Sequence, residues 1–380
     1  MQDNRRLSIP SLARADVVRP LDLSAADIAA WRTLQAAHDP LISPYLTPEW
    51  AQLVARHRPD ARVVVFRDRD RAVGFLPVQL APGSAALPAG GPICDYQAIV
   101  GPADRKFDLS AAARALGVGR IDFTYGLKDS AVGDRLFTSE KAYVTRFADG
   151  WQAWRAERKS AGTRIVSRTE KNIRRLTRDR GGQVTLEAFS TDAAAFEQMI
   201  TWKRAQYAKS GVWDIFERDW IDGLIRESFA MERTPDFGGA FFVLRHDGKM
   251  IAGLYCLQTA DRLHAWFTSY DPHYAEYTPG VAVFLETIRT ASEAGFKELD
   301  LGVGAMRYKE SLANRYREVG SGFSGRPGLA TVRRAAEFGV RNLVEVLPLG
   351  PARQWPGKAM RRLDIAAGMI VPEMREKRAA

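Results

Sequence analysis

The sequence predicts an α/β fold in two successive domains, each with a mixed central sheet flanked by helices. The chain has 380 residues, of which 46% are hydrophobic, and this is enough for two separate cores. Residues 240–303 read as a hairpin, a strand, a helix and a strand, and the first 150 residues alternate helices and strands less clearly. The predicted parts are a degenerate domain over 1–150, a basic linker helix over 151–182, a second domain over 183–325 and a basic helical tail over 326–380.

Strands dominate the predicted core of the second domain. Residues 240–246 and 250–257 are rich in β-branched and aromatic side chains and flank Asp247-Gly248, a strong hairpin signal. Residues 263–270 follow as a third strand, and a buried strand is expected over 297–303. The helix between the last two strands would form a crossover connection.

The start of that crossover helix predicts a phosphate site. Thr278 suits the N-cap, Pro279 suits the first helical position, and Gly295 suits the C-terminal end. A helix begun in this way leaves N–H groups free at its first turn, with the positive end of the helix dipole behind them. Because Gly280 would let a ligand approach the main chain, we expect a phosphate or pyrophosphate here.

Several short motifs occur in a fixed order over about residues 150–325. They are Lys203 to Phe216, Gly253-Leu-Tyr255, Tyr270-Asp271, Tyr274, Thr278-Pro-Gly280, Gly295, Asp300-Leu-Gly302 and Tyr308-Lys309. With three antiparallel strands and a helical crossover, this order resembles the GNAT acyltransferase fold. Its motifs are most similar to those of the CelD-type (cellulose-biosynthesis) acetyltransferases, relatives of the FemAB ligases.

The resemblance implies a donor and a domain plan. In GNAT enzymes the pyrophosphate of an acyl-coenzyme A, commonly acetyl-coenzyme A, lies at the N-terminus of the crossover helix. FemAB-type relatives are tandem GNAT-like domains whose first copy is degenerate, so the donor is expected in the second domain. The residues expected to bind it are Tyr270, Thr278, Pro279, Gly280, Val281 and Lys309.

The first 150 residues match that plan by the order of their elements. They contain helix signals, a hairpin around a charged turn and two further apolar strands, without a clear Pro-Gly phosphate turn. The predicted helices cover 24–37, a segment opened at 47–49, and 109–116; the predicted strands cover 62–66, 73–80, 93–100 and 120–125.

The sequence also bears on where in the cell the protein is expected and on whether it binds a metal. The amino terminus lacks the apolar core of a secretion signal, and no stretch is long and apolar enough to span a bilayer. Cys94 and Cys256 have no metal-ligand spacing, so no metal is expected. These observations fit a reducing cytoplasm, with peripheral contact at the inner face of the membrane as a further option.

Two segments are strongly basic within a chain of net charge +10. Residues 155–180 read as one Arg-rich helix, which is either a solvated face or a surface for a polyanion. In the tail, Ala335, Phe338, Val340, Leu343 and Val346 predict a helix packed on the domain, and 363–371 is a short apolar run. Docking on protein and peripheral contact with anionic lipid are both open for this tail.

The predicted chemistry is direct acyl transfer. A thioester donor needs a positioned nucleophile, a proton acceptor and donors for the developing oxyanion. No Gly-x-Ser-x-Gly elbow occurs, so a covalent relay is not expected. Asp300 is the candidate proton acceptor, although strand alternation also allows it to lie on the opposite sheet face. The resemblance places Tyr308 near the leaving sulfur, where it could protonate the thiolate, and Lys309 next to a phosphate or an acceptor anion.

Acceptor binding is assigned to the helix over 191–209 and the segment after it. Trp213 and Phe216 offer aromatic faces to a sugar, and the Asp214 carboxylate could accept hydroxyl protons. Lys203 completes the candidate substrate-binding set. The alternative is structural, with the aromatic side chains in the core and Asp214 as a helix cap.

The resulting prediction is an acyl-coenzyme A-dependent acyltransferase that acts on a sugar or an envelope or exopolysaccharide precursor. A polysaccharide synthase and an anionic membrane are the expected partners, and nucleic acid is not. Two alternatives stay open. One is a FemAB-like ligase that uses aminoacyl-tRNA, with the basic helix as the RNA contact, and the other is a non-catalytic scaffold of a synthase complex.

Overall fold

A computed structural model describes residues 14–347 and 355–372 of the chain. Runs of strands and runs of helices follow one another along the chain, and the predicted α/β class, with mixed sheets flanked by helices, is confirmed. The strands are β1 Arg14–Val18, β2 Ala61–Asp68, β3 Arg71–Ala81, β4 Ala85–Pro88, β5 Arg120–Leu127, β6 Glu140–Arg146, β7 Val184–Glu187, β8 Gly238–His246, β9 Lys249–Thr259, β10 Arg262–Tyr270, β11 Glu298–Val303 and β12 Arg315–Gly325.

The α-helices vary from one turn and a half to five turns. Across residues 14–347 and 355–372, each helix is too short or too polar to cross a bilayer. The helices are α1 Ala25–Ala36, α2 Pro48–His57, α3 Leu109–Ala115, α4 Trp151–Ser160, α5 Ile165–Arg180, α6 Ala193–Ser210, α7 Asp219–Ala230, α8 Pro279–Glu293, α9 Arg307–Leu312, α10 Leu329–Val346 and α11 Trp355–Met369.

The chain folds into two compact units. The first unit has the strand order β1-β2-β3-β4-β5, in which β4 and β5 are parallel and the other neighbours antiparallel. Its core lies between these strands and α3. The first unit comprises the described residues of Met1–Leu41, Val54–Ser139 and Gly320–Ala380, and the second those of Ile42–Leu53 and Glu140–Val319.

The second unit carries the predicted hairpin, strand, helix and strand. Its strand order is β6-β11-β10-β9-β8-β7, and β10 and β11 are its parallel pair. The first part of β12, Arg315–Val319, pairs with the other edge of β6. The core of this unit lies between the sheet and the helices α4, α5 and α8.

Side-chain caps fix several helix starts that the sequence predicts. The Ser24 hydroxyl accepts a hydrogen bond from Asp27 N–H at the start of α1, and the Thr47 hydroxyl accepts one from Trp50 N–H at the start of α2. Such caps satisfy N–H groups that have no partner inside the helix.

One predicted strand of the first unit is wrong. Residues 93–100 are mostly buried but form only isolated bridges, between Val100 and Phe75 and between Gln97 and Gly126. The strand forms earlier instead, as β4, within a segment whose prolines and glycines predict a turn. Local composition misled here because the pairing of β4 with β3 and β5 is set by tertiary contacts.

The basic segment forms two helices rather than one. Gly162 has a φ of +77° and lies between α4 and α5, a conformation that favours glycine and ends a helix. Trp154, Val166 and Leu176 are buried in the core of the second unit. The apolar stripe of this segment therefore packs on protein, while many of its basic side chains stay exposed.

The helix α10 turns a different side toward the protein from the one predicted. Phe338 is buried, but Val340, Leu343 and Val346 are exposed. On the buried side, Arg334 lies 3.1 Å from Asp122 and 2.8 Å from Asp364, with an exposed fraction of 4%. The helix is therefore held by charges and one aromatic ring, and its apolar residues face outward.

We predict that Arg334→Met lowers the free energy of unfolding by about 3 kcal/mol or more, because it leaves Asp122 buried without one of its cations. Arg333→Met is the matched control, since Arg333 also pairs with Glu337 but its side chain is 78% exposed. The expected loss for the control is below about 1 kcal/mol. Urea denaturation measures both values, and equal losses would contradict a buried charged side of α10.

Candidate functional site

The strands β10 and β11 lie side by side at one end and part at the other. They pair in parallel over residues 262–264 and 298–300. Beyond these residues β10 continues beside β9, and β11 continues beside β6. Within the described part of the chain, the facing edges of residues 265–270 and 301–303 have no strand partner. We call the space between these two edges the strand opening.

An irregularity in each strand accompanies the separation. The pairing of β10 with β9 shifts between Ala265 and Phe267, and the pairing of β11 with β6 shifts between Asp300 and Gly302. A bulge places an extra residue in one strand and bends it. Gly302 has a φ of +72°, which glycine adopts without strain, and its N–H donates to Asp300 Oδ1 at 2.8 Å.

The predicted helix start lies at the far end of β10, and it differs from the expectation in detail. Thr278 precedes the helix with a φ of +54°, and its side chain makes no cap. Its carbonyl oxygen accepts hydrogen bonds from the N–H groups of Val281 and Ala282. Because Pro279 has no N–H, the N–H of Gly280 is the group of the first turn that remains for an anion among the described residues.

Two side chains border this helix start. A Cβ atom added to Gly280 would lie 3.0 Å from Cδ1 of Tyr270, so the glycine lets this ring lie against the first turn. On the other side, Asn172 Nδ2 of α5 donates to Thr278 Oγ1 at 2.9 Å. The Tyr270 ring lies in the space beside Gly280, and close approach of a ligand there stays a prediction.

Two lysines reach the walls of the strand opening. Lys203 Nζ of α6 donates to the carbonyl oxygen of Thr268 on β10, at 3.4 Å. Lys309 Nζ of α9 donates to the carbonyl oxygen of Val303 on β11, at 2.8 Å. Burial, and in second place the charge of Lys309, lowers the pKa of Lys203 to about 8. The two lysines therefore lie close enough for their positive charges to affect each other in a partly desolvated position.

Tyr308 lies on α9 beside Lys309 and packs against Phe284 of α8, with ring centroids 5.3 Å apart. Burial raises the pKa of Tyr308 to about 12, so the phenol keeps its proton at neutral pH. The structure places both residues on the short helix α9. The opening, the two lysines and Tyr308 therefore come together.

Asp300 does not share the surroundings of Tyr308 and the two lysines. Leu299 and Leu301 pack in the core with α8, so strand alternation directs Asp300 to the other sheet face. Its Oδ2 accepts a hydrogen bond from Arg317 at 2.9 Å, and its Oδ1 lies 3.7 Å from Nδ1 of the buried His264. Arg317 also bonds Glu298 at 2.6 Å. The carboxylate is thus part of a buried charge network.

The structure places some of the predicted acceptor-binding residues in buried positions and others at the surface. The Phe216 ring is buried, with centroids 5.7 Å from Phe267 and 6.4 Å from Tyr207. Asp214 accepts a hydrogen bond from Phe216 N–H and pairs with Arg204 at 2.7 Å. Trp213 is 43% exposed. The structural roles allowed for Phe216 and Asp214 are therefore present, and Trp213 is left as a contact surface.

Sequence reasoning missed Arg317, His264 and Asn172. Arg317 and Asn172 each contact a residue far along the chain, Asp300 and Thr278 respectively, so no local pattern marks them. His264 alternates with buried apolar residues in β10, and this pattern predicts only that it is buried. The His, Cys, Asp and Glu side chains of residues 14–347 and 355–372 form no group of three that could hold a metal ion.

Residues 164–310, which contain the strand opening, match the family model of the acetyltransferase (GNAT) domain. No curated protein matches the chain. The solved structure of FemX aligns with a TM-score of 0.51 at 11% identity, covering 78% of this chain and 94% of FemX. A conserved protein of unknown function from Bacteroides thetaiotaomicron also aligns at 0.51, with 12% identity, 82% of this chain and 100% of that one.

Residues 164–310 of this chain are therefore similar to the acetyltransferase (GNAT) domain. The match over residues 164–310 includes the parallel strands β10 and β11, the crossover helix α8 that joins them, and the strand opening. At these identities the solved structures bear on the fold alone.

We predict that Asp300→Asn destabilises the fold by about 3 kcal/mol, because the half-buried Arg317 loses its charged contact with the buried Asp300. The matched control is Asp261→Asn, since Asp261 pairs with the exposed Lys297 at 2.8 Å. The control should cost less than about 1 kcal/mol. Thermal unfolding of both variants provides the comparison, and a stable Asp300→Asn variant would remove Asp300 from the structural role.

Proposed function

We propose that this protein is an acyltransferase that moves an acyl group from acyl-coenzyme A directly to an amine or hydroxyl group. The observation that carries the proposal is the strand opening, which offers two unpaired strand edges beside two lysines. The match of residues 164–310 to the acetyltransferase (GNAT) domain supports it.

The opening suits the donor chemically. Unpaired strand edges can hydrogen-bond an extended ligand in the manner of an added strand, and the arm of coenzyme A carries amide groups. Lys203 and Lys309 favour the negative charge of its phosphates or of an acceptor anion. At the helix start, Gly280 N–H and the positive end of the α8 dipole add to this field. Tyr270, Thr278, Pro279 and Val281 would frame that end of the donor.

Proton transfer is assigned to groups near the opening. The acceptor nitrogen or oxygen would attack the thioester carbon, the carbon–sulfur bond would break, and Tyr308 would protonate the leaving sulfur. Tyr308 suits this role because its raised pKa keeps it protonated. Asp300 is kept as the proposed proton acceptor, although its carboxylate lies on the other sheet face in the ion pair with Arg317, 3.7 Å from His264 Nδ1. Burial raises the pKa of Cys94 and Cys256, which supports transfer without a cysteine intermediate.

The proposed acceptor is a sugar or an envelope or exopolysaccharide precursor. The exposed Trp213 at the end of α6 offers an aromatic face of the kind that sugars contact, and Lys203 would receive an anionic group. The acceptor class follows from the resemblance to CelD-type acetyltransferases. It would place the reaction in the cytoplasm at the inner face of the membrane, with a polysaccharide synthase as a candidate partner.

A FemAB-like ligase is the second candidate, and one surface favours it. The exposed side of α5 carries Arg164, Arg168, Lys171 and Arg174, which form no ion pairs with described residues. This helix lies beside the start of α8, as the bond from Asn172 to Thr278 shows. A basic helix next to the site could hold the phosphates of an aminoacyl-tRNA.

We predict that acetyl-coenzyme A binds saturably to the wild type and that Gly280→Trp abolishes binding. The new side chain would collide with the Tyr270 ring, 3.0 Å from the Cβ position, and would cover the helix start. Isothermal titration calorimetry measures the affinity, and circular dichroism checks the fold of the variant. If neither acetyl-coenzyme A nor free coenzyme A binds the wild type, the donor assignment is wrong.

Lys203→Gln should weaken coenzyme A binding roughly tenfold, because a charged hydrogen bond or ion contact is lost. Lys209→Gln is the matched control on the same helix, where the side chain is exposed, and it should leave binding unchanged. Unchanged binding by Lys203→Gln would remove this lysine from the donor site.

The wild-type affinity should also fall as the pH rises above about 8. Lys203 has a lowered pKa of about 8 in the folded chain, so its positive charge is present below that pH and is lost above it. Bound anions favour the protonated form and should raise this pKa. Titrations from pH 6.5 to 9.5 test the dependence, and a profile shared by Lys203→Gln would assign it to another group.

A further inference from the structure

The outward side of α10 is apolar along its whole length. Its residues recur three or four positions apart, which places them on one side of a helix. Leu329 is 90% exposed and Leu343 is 62% exposed. The apolar residues of this side are Leu329, Val332, Ala336, Val340, Leu343 and Leu347, with Val346 at its margin.

This orientation is fixed by the opposite side of the helix. Arg334 is buried between Asp122 and Asp364, and Phe338 packs against Phe137 and Phe323 with ring centroids 5.2 and 5.9 Å apart. Turning the apolar side inward would break these ion pairs and leave buried charges without partners. The apolar side is therefore presented to the surroundings by the fold.

The helix α11 extends the same surface. It is joined to α10 by the ion pair of Asp364 with Arg334, and a Cβ atom at Gly357 would lie 3.2 Å from Arg341 Nε. Trp355 and Leu363 of this segment are 69% and 64% exposed, and Ile370 follows it. Exposed apolar areas of this extent mark interaction sites in soluble proteins.

The charged residues of α10 and α11 indicate what kind of partner would bind this apolar surface. The acidic residues within α10 and α11 are Glu337, Glu345 and Asp364, and each pairs with an arginine of α10. In contrast, the exposed Lys358 and Arg362 form no ion pair with a described residue. The surface is therefore apolar with a positive margin, and its partner should be apolar with a negative margin.

We propose that the outward side of α10 and α11 docks in the plane of an anionic lipid bilayer. An apolar helix side flanked by basic residues and an exposed tryptophan is typical of interfacial helices. At 1.5 Å per residue, the 18 residues of α10 offer an apolar strip about 27 Å long. A second copy of the chain suits the surface less well, because a symmetric contact would place Lys358 and Arg362 near their own copies.

The full chain should co-sediment with vesicles of phosphatidylcholine and phosphatidylglycerol, and not with vesicles of phosphatidylcholine alone. The double variant Val340→Glu, Leu343→Glu should lose binding at least tenfold. Asn342→Glu is the matched control, since it adds the same charge at an exposed position on a different side of α10. Lys358→Gln and Arg362→Gln should each weaken binding roughly fivefold, the effect of about 1 kcal/mol per basic residue.

Several outcomes would overturn the proposal. One is no binding to either vesicle, and another is equal binding to both. A third is loss of binding by Asn342→Glu to the same extent as by the double variant. Light scattering separates the remaining occupant, because a dimer that the double variant abolishes, without vesicle binding, would make this surface a contact between copies. Coenzyme A titration of the double variant is independent of these results.

Discussion

A charge network around Arg317 anchors the end of β11 at which the strand opening begins. This arginine of β12 bonds Asp300 and Glu298 of β11, within the short stretch where β11 still pairs with β10. Removing any partner would leave a buried charge uncompensated, so the network is costly to rearrange. It therefore ties β11 to β12 at the end where β10 and β11 still pair, next to the strand opening. The lysines matter because they reach the walls of that opening.

The fold could be predicted where local signals and tertiary contacts agree. The hairpin at Asp247-Gly248 and the helix that begins at Pro279 have turn and capping residues that few other structures accommodate. Prediction failed where apolar content was the guide. Residues 93–100 are buried without forming a strand, and the apolar residues of α10 face outward. In both cases long-range contacts decide, for α10 the ion pairs of Arg334 with Asp122 and Asp364.

For the candidate site too, some features could be predicted from the sequence and others could not. The helix start, Tyr308 and Lys309 belong to motifs that occur in a fixed order, so they could be named as candidates from the sequence. The desolvation of Lys203 and the enclosure of Asp300 could not be predicted, because they depend on how α6 and β12 pack against the sheet. Thr278 shows the limit even for a local rule, since it precedes the helix but offers its hydroxyl to Asn172 rather than to the helix.

The central claim is that the strand opening binds the donor. A crystal structure of the full chain with coenzyme A tests it most directly. The account predicts coenzyme A between residues 265–270 and 301–303, with its phosphates toward the start of α8 and with β10 and β11 still parted. Coenzyme A bound elsewhere on the chain, or an opening closed by new pairing between β10 and β11, would contradict it.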